Sequence, residues 1–152
     1  MSLQNALADL QNKIGMETHV GEWLIINQER INQFAEATGD HQWIHVDVEK
    51  AAAGPFGGTI AHGFLTLSMT VAMTFQLELE VGEPKMAINY GLEKVRYPAP
   101  VPVGSRIRAR VGLASVSDVP GGLQVNRKVV IEVEGNEEKP AMVAETVTRY
   151  YY

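Results

Sequence analysis

The 152-residue sequence predicts an α+β fold in which an antiparallel sheet wraps around a long central helix. Residues 61–79 are apolar on nearly every side of a helix, which is typical of a buried helix. About four strand-like segments follow one another after residue 85, and the short turns between them require antiparallel pairing. Because 45% of the residues are hydrophobic and 20% are charged, we expect a single folded domain over residues 1–152.

The first predicted element is a short amphipathic helix. Leu3, Leu7, Leu10 and Ile14 fall at helical spacing, which predicts a helix over residues 2–13. We expect this helix to pack on the rest of the domain, although a dimer contact is compatible with the same apolar stripe.

A strand and a capped helix come next. Residues 23–26 form an apolar run typical of a strand. Asn27 is a residue type that caps helices and Gly39 is one that ends them, so the apolar face between them predicts a helix over residues 28–38. Residues 40–59 follow no regular period and contain a Gly-Pro-Phe-Gly-Gly run, which predicts a loop.

Alternation and turn residues define the strands that follow the buried helix. Ile107, Ala109 and Val111 alternate with arginines, which is typical of a half-buried strand. The predicted strands span residues 86–97, 106–113, 124–134 and 141–151. A sheet wrapped around one helix is the hot-dog arrangement in outline, and its uncovered edges predict at least a dimer.

Composition and charge exclude several classes of protein. The absence of cysteine excludes disulfides, thiolate metal sites and a cysteine nucleophile. Thirteen basic and eighteen acidic residues give a formal charge of −5, so no nucleic-acid partner is expected. Residues 1–13 lack a signal-peptide pattern and residues 61–79 are too polar for a membrane span, so we expect a soluble, cytoplasmic protein with no membrane partner.

The polar groups concentrate in residues 38–47, which contain Asp40 and His45. A carboxylate beside an imidazole is a working acid/base pair, because imidazole titrates near neutral pH and the carboxylate can orient it or share a water with it. The chain must curl after Gly39 for the two side chains to converge. A structural interpretation fits equally well. In it Asp40 caps a turn, and His45 is half-buried with its hydrogen bonds satisfied inside the fold.

A second polar window lies at the start of the predicted central helix, where His62 and Gly63 are followed by Ser68. The first amides of a helix lack internal partners and can stabilise a developing negative charge. Gly63 would let a substrate approach the backbone closely, or simply allow tight packing. The Ser68 hydroxyl could equally be bonded back to a helix carbonyl.

The two windows together resemble the signature of MaoC-like dehydratases and (R)-specific enoyl-CoA hydratases. The matching residues are Gly39, Asp40, His45 and Asp47, then Ile60, Ala61, His62 and Gly63, then Ser68. Residues 89–101 also resemble the family's later strand and turn, so the resemblance covers residues 34–110. The Asp-His-Gln-Trp-Ile-His run is similar to the nodulation-protein-N-like branch. The family's usual signature has Asn-Pro where this chain has Gln42 and Trp43, so we expect a different pocket shape or substrate, with Trp43 obstructing a tunnel or stacking on a ligand.

The resemblance implies addition of water to a trans-2-enoyl-CoA, giving an (R)-3-hydroxyacyl-CoA, or the reverse dehydration. Asp40 and His45 would activate one water, and the Gly63 amide would stabilise the enolate. The residues expected to contact the substrate are Ser68, Trp43, Phe56 and His62. No metal or cofactor is expected, because coenzyme A is part of the substrate. Arg96 and Arg106 are candidate phosphate partners, although solvated surface arginines fit the same pattern.

Two other functions are compatible with a hot-dog fold. A thioesterase usually carries its carboxylate on or near the central helix, where this chain has no acid before Glu78. A non-catalytic acyl-CoA-binding or assembly subunit would keep the pocket without needing Asp40 or His45.

Two further kinds of site are disfavoured. A metal site built from His41, His45 and His62 is doubtful, because the helix that would align the first two ends before them. A triad of Ser68, His45 and Asp40 lacks the glycine-flanked turn that exposes a nucleophilic serine.

Overall fold

The computed structural model of the protein describes residues 3–74 and 81–152. Its helices are α1 (Leu3–Gln11), α2 (Gln28–Thr38), α3 (Trp43–Val46), α4 (Val48–Ala52) and α5 (Gly63–Thr74). Its strands are β1 (Glu17–Val20), β2 (Leu24–Ile25), β3 (Met86–Arg96), β4 (Arg106–Val119), β5 (Gly122–Val133) and β6 (Met142–Tyr151). The long strands are grouped in the second half of the chain, as the sequence predicts.

The strands form one six-stranded antiparallel sheet in the order β1-β4-β5-β6-β3, and β2 also pairs with β4. Strand β3 therefore lies at one edge, while β1 and β2 share the opposite edge. Helix α5 contacts β4 and β6 and contributes to the same hydrophobic core as the sheet. The α+β class and the hot-dog fold are confirmed.

The core lies between α5 and the sheet. Leu65, Met69 and Met73 of α5 pack with sheet side chains such as Ile107 and Ile131, and each of these residues is at most 8% exposed. Burial of this apolar surface is the main favourable contribution to folding. It also fixes the start of α5 against the sheet, where the polar windows of the sequence meet.

One face of α5 is open, so the prediction of a helix buried on every side was wrong. Phe64 is 69% exposed and Val71 is 50% exposed. Periodicity alone does not distinguish an apolar face packed within the chain from one left open. Residues 75–79, the end of the predicted helix, lie outside the described residues. No helix in the described part of the chain is long and apolar enough to cross a membrane.

Helix α2 has the predicted bounds, because both of its ends are decided by local capping. The Asn27 side chain accepts a hydrogen bond from the Arg30 amide at 2.9 Å. Gly39 adopts a left-handed conformation with φ of 79°, and its N–H donates to the Ala35 carbonyl. This conformation favours glycine and turns the chain away from the helix axis.

Helix α1 packs its apolar stripe on the rest of the domain, which was the expected one of the two interpretations. Ala6 and Leu10 are buried in a second hydrophobic cluster that includes Leu113, Leu123 and Val125 of the sheet. The helix thus covers one end of the sheet, away from the cluster that contains α5.

Four elements differ from the prediction. Strand β1 was missed, because its four residues show no apolar alternation and its pairing depends on the neighbouring edge of β4. The short helices α3 and α4 occupy a segment predicted as a loop. Helix α4 is capped by Asp47, whose side chain accepts a hydrogen bond from the Lys50 amide. Strand β4 continues to Val119, beyond the predicted end at residue 113.

Candidate active site

The two polar windows of the sequence meet beside the start of α5. Gly39 ends α2 and turns the chain into Asp40, and the next short helix, α3, carries His45. A carboxylate oxygen of Asp40 and one ring nitrogen each of His45 and His62 all lie within 4.8 Å of one another. Asp40 is exposed whereas both histidines are buried, so the cluster joins a solvent-facing carboxylate to two imidazoles inside the fold.

His45 is held in one orientation by the backbone. Its Nδ1 lies 2.7 Å from the carbonyl oxygen of Ile60, which can only accept a hydrogen bond. The neutral ring therefore carries its proton on Nδ1, and Nε2 keeps a free lone pair. An imidazole in this tautomer can accept a proton from a bound water.

The pKa of His45 is lowered from its ordinary value, mainly because burial disfavours the charged ring. The hydrogen bond to Ile60 and the charge of Asp40 oppose this effect, while His62 adds to it. The net direction favours a neutral imidazole at neutral pH, which is the form that can act as a base.

His62 packs between an aromatic ring and the other histidine. Its ring stacks on His45 with centroids 3.8 Å apart, and its centroid lies 5.0 Å from that of Phe34. Its Nε2 donates to the backbone carbonyl of Asp40 at 3.0 Å. Its buried Nδ1 has no hydrogen-bond partner among the described residues. His62 thus connects the start of α5 to the loop that carries Asp40.

A cavity of about 280 Å³ opens beside this cluster. Its lining includes His45, Phe56 and Gly63, together with Thr66 and Tyr97. Gly63 is the first residue of α5, so the amides that lack intrahelical partners lie next to the cavity. The arrangement places a base, an apolar wall and helix-end amides around one space.

Tyr97 is a cavity residue that the sequence analysis missed. Its ring faces Gly63 so closely that a Cβ at Gly63 would lie 3.3 Å from three ring atoms. Burial raises the pKa of Tyr97 above its ordinary value, so its hydroxyl stays protonated and able to donate. The only sequence signal was its position before Pro98, which indicates a strand end rather than a site.

The structure separates the other proposed substrate contacts. Phe56 lines the cavity, whereas Trp43 lies against Gly54 and under the Lys50 ammonium, 4.8 Å from the ring centroid. The exposed Ser68 donates to the Phe64 carbonyl at 2.7 Å and lines a neighbouring groove. His62 is only 3% exposed and lies behind His45 rather than along the cavity wall.

The two candidate phosphate partners differ in their surroundings. Arg106 forms a two-pronged ion pair with Glu134 on the outer face of the sheet. Arg96 is exposed, bonds only a backbone carbonyl within the described residues, and directly precedes Tyr97 of the cavity. Arg96 is therefore the better placed of the two for an anionic group at the cavity mouth.

The spacing of Asp40, His45 and His62 is also one that could hold a metal ion. Both histidines bond a backbone carbonyl through one nitrogen, an arrangement that orients metal ligands and catalytic bases alike. His41, which the sequence analysis had grouped with them, points elsewhere and lies 3.6 Å from the Glu36 carboxylate.

Comparison with known proteins shows relatives over nearly the whole chain. Residues 9–136 match the family described as MaoC like domain. A 3-hydroxyacyl-thioester dehydratase Z from Mycobacterium tuberculosis is 53% identical over 95% of this chain and 95% of its own length. Nodulation protein N from Rhizobium leguminosarum bv. viciae is 46% identical over 94% of this chain and 89% of its own length.

A solved structure supports the same relationship. The monoamine oxidase regulatory protein from Archaeoglobus fulgius aligns with a TM-score of 0.74 at 26% identity, covering 87% of this chain and 86% of that one. The family match extends from α1 to just beyond β5, and so includes Asp40, His45 and the start of α5. Because the family model matches residues 9–136 and a 53% identical relative covers nearly the whole chain, this chain belongs to the family of MaoC-like domains.

Proposed function

We propose that this protein is a hydro-lyase that interconverts a trans-2-enoyl-CoA and water with an (R)-3-hydroxyacyl-CoA. The observation that carries the proposal is the meeting of Asp40 and His45 beside a cavity that also borders the first residue of α5. The dehydratase name of the 53% identical relative supports the same reaction class. The acyl thioester is the substrate, and coenzyme A enters as part of it.

Hydration begins with one water held between the Asp40 carboxylate and Nε2 of His45. As the water oxygen bonds to Cβ of the enoyl group, a water proton passes to Nε2. The π electrons move toward the thioester and form an enolate. The Asp40–His45 pair then returns a proton to Cα, which yields the hydroxyacyl product and restores the neutral imidazole; dehydration follows the same steps in reverse.

The enolate oxygen is stabilised at the start of α5. The Gly63 amide has no intrahelical acceptor and lies beside the cavity, so it can donate to the negative oxygen. A donor of this kind contributes about 3–4 kcal/mol to the transition state. The acid/base pair contributes about 10²- to 10⁴-fold in rate.

The proposal is tested by an assay of the hydration of crotonyl-CoA and longer enoyl-CoAs. The reaction is monitored as the loss of absorbance of the conjugated alkene. Asp40→Asn and His45→Gln should each lower kcat by about 10²- to 10⁴-fold while the protein stays folded. His41→Gln is the matched control, because His41 is exposed beside Glu36 and lies outside the cluster. It should keep the activity of the unmodified protein.

Other outcomes would favour different functions. Full turnover in both site variants would remove Asp40 and His45 from the mechanism. Release of free coenzyme A without loss of the alkene would indicate a thioesterase. Tight acyl-CoA binding without any turnover would indicate a binding or assembly subunit.

A second copy of this chain is the partner that we propose for the open side of the fold. Strand β3 is an edge strand whose Tyr90 and Leu92 are 56% and 46% exposed. Phe64 and Val71 extend the apolar surface onto α5. An exposed apolar edge strand is normally covered, and pairing of two identical edges is a common solution for a homodimer.

A further inference from the structure

A buried arginine interrupts the apolar face of strand β5. Alternate residues of a strand face the same side, so Val125, Arg127, Val129 and Ile131 share one face of β5. The three apolar residues are at most 1% exposed and belong to the hydrophobic clusters, whereas Arg127 lies between them. A cation thus stands where the strand pattern predicts an aliphatic side chain.

Arg127 is a buried cation with no countercharge among the described residues. It is 6% exposed, and no carboxylate of the described residues lies within ion-pair distance of its guanidinium. Its Nη2 donates to the Tyr150 hydroxyl at 2.7 Å and its Nη1 makes a long contact of 3.4 Å to Thr148. Its buried Nε has no partner in the described part of the chain. Burying an unpaired charge is costly, so such groups normally bind an anion.

Arg127 borders a cavity of about 240 Å³ beneath the second half of α5. The other polar groups that line this cavity are Thr70, Thr74, Asn89, Thr146, Thr148 and Tyr150. The Tyr150 oxygen accepts from Arg127, so its own O–H remains able to donate, as does the Asn89 amide. Among the described residues, the lining of this cavity therefore offers one cation and neutral hydrogen-bond donors, with no acidic side chain.

The geometry points to a carboxylate-binding site in this cavity, with Arg127 as the countercharge for a small linear organic acid. A carboxylate fits because the planar guanidinium presents donors in a fork that matches its two oxygens. Val71 and Val129 in the same lining would contact the hydrocarbon part of such an acid.

The carboxylate has two possible sources, a free acid or the far end of an acyl thioester. A second groove of about 340 Å³ shares Thr70, Val71, Asn89 and Thr146 with the Arg127 cavity and reaches Leu67 on α5. The catalytic cavity ends at Thr66, the preceding residue of the same helix. An acyl chain that followed α5 from Gly63 to Thr74 would span about 16 Å. This second source, an ω-carboxyacyl thioester, rests on the proposed function, whereas the first does not.

The first experiment measures binding of free acids to the full-length protein. Hexanoate and adipate are titrated by calorimetry and thermal shift against unmodified protein, Arg127→Met and Arg149→Met, with hexanol as the uncharged probe. Arg149 is the matched control, because it lies on the neighbouring strand β6, where its Nε donates to Gln124 and its guanidinium lies over the Tyr90 ring on the outer face. The acids should raise the Tm of unmodified protein and Arg149→Met, and Arg127→Met should bind them at least about 30-fold more weakly.

The stability of the free variants is a second measurement. Arg127→Met should be at least as stable as unmodified protein, because it replaces an uncompensated buried charge with an apolar chain of similar length. A Tm well below that of unmodified protein, or failure to fold, would mean that the chain itself compensates the charge and would overturn the proposal. Arg127→Lys keeps the charge without the fork and should bind the acids at an intermediate strength.

The second experiment decides between the two sources. Values of kcat/KM are compared for trans-2-octenoyl-CoA and its ω-carboxylated counterpart. A preference for the carboxylated thioester that disappears in Arg127→Met and persists in Arg149→Met supports the acyl source. Binding of free acids without that preference supports the free-acid source. Acid binding without hydration of either thioester would contradict the proposed reaction and still support the Arg127 site. If the protein shows neither acid binding nor a preference for the carboxylated thioester, the site is refuted.

Discussion

His45 combines burial with a backbone hydrogen bond that leaves Nε2 free. Because burial holds its pKa below the ordinary value of 6.5, the folded protein keeps the ring neutral at pH values where an exposed histidine has already bound a proton. The same shift affects both catalysis and stability, since each depends on where the ring becomes charged.

We predict an acid limb in the pH profile of hydration, with an inflection below 6.5. The neutral ring is the active base, so kcat/KM falls as the pH drops through the folded-state pKa. Initial rates between acidic and neutral pH measure this limb. An inflection above the ordinary histidine value would contradict the assignment.

The same residue makes stability depend on pH. Below about pH 6.5 the unfolded chain binds a proton at His45 more readily than the folded protein does. The stabilisation is therefore complete above that pH and is lost as the pH falls through the folded-state pKa. Urea denaturation across this range should show the loss, and His45→Gln should show less of it.

His62 is a positioning residue in this arrangement. It donates to the Asp40 carbonyl and stacks on His45, yet it does not line the cavity that His45 and Gly63 border. We predict that His62→Ala lowers kcat by up to about 100-fold, because small displacements of catalytic groups have effects of this size. His62→Gln should recover part of the rate, since its amide can still donate.

A pH measurement distinguishes positioning from a loss of packing. His62 contributes to lowering the pKa of His45, so the acid limb should move to higher pH in His62→Ala. An acid limb that stays in place while the rate falls would mean that His62 only supports the fold.

At the scale of elements, the cluster of Asp40, His45 and His62 depends on how α2 ends. Gly39 takes a φ of 79° and a Cβ at this position would meet nothing within 4 Å. A substitution there is therefore strained only by the backbone conformation. The left-handed turn is what brings Asp40 back toward His62 and His45.

We predict that Gly39→Ala costs about 1–2 kcal/mol of unfolding free energy, measured by urea denaturation. Turnover should also fall, because Asp40 follows the strained residue directly. Gly58→Ala is the matched control, since Gly58 has no positive φ and open space around it. Equal effects of the two substitutions would show that the left-handed turn at Gly39 is not the cause of the loss of stability and turnover.

At the scale of the whole molecule, exposed apolar residues lie on α5 and along the free edge strand β3. Phe64, Val71, Tyr90 and Leu92 are all at least 46% exposed. Apolar patches of this kind normally mark interaction surfaces in soluble proteins. The homodimer that we propose would cover the patch and pair the edge strand at the same time.

We predict that Tyr90→Lys combined with Leu92→Lys converts a dimer into a monomer, because lysines on an edge strand oppose pairing. Light scattering coupled to size-exclusion chromatography measures the mass directly. Val48→Lys on α4 is the control, since Val48 is 57% exposed but lies away from β3. An unmodified protein that remains monomeric at high concentration would rule out this interface.

Several features could be predicted because their causes are local. Helix α2 has the predicted bounds, since Asn27 and Gly39 satisfy its terminal backbone groups within a few residues. The strand order along the chain followed from alternation and turn residues, and the hot-dog fold followed from that order. Asp40, His45 and Gly63 were candidates from their chemistry alone; their catalytic roles stay predictions.

The capped helix, the alternating strands and the placement of Asp40 and His45 in one short window follow from the sequence alone. The groups that surround Asp40 and His45 are set by tertiary packing. The carbonyl that orients His45, the ring that stacks on it and the tyrosine that faces Gly63 come from distant parts of the chain. Arg127 follows the same strand pattern as its neighbours. Its burial away from every carboxylate of the described residues emerged only when the sheet closed over α5. Spacing constrains neighbours in sequence, whereas burial and partner choice depend on packing between elements.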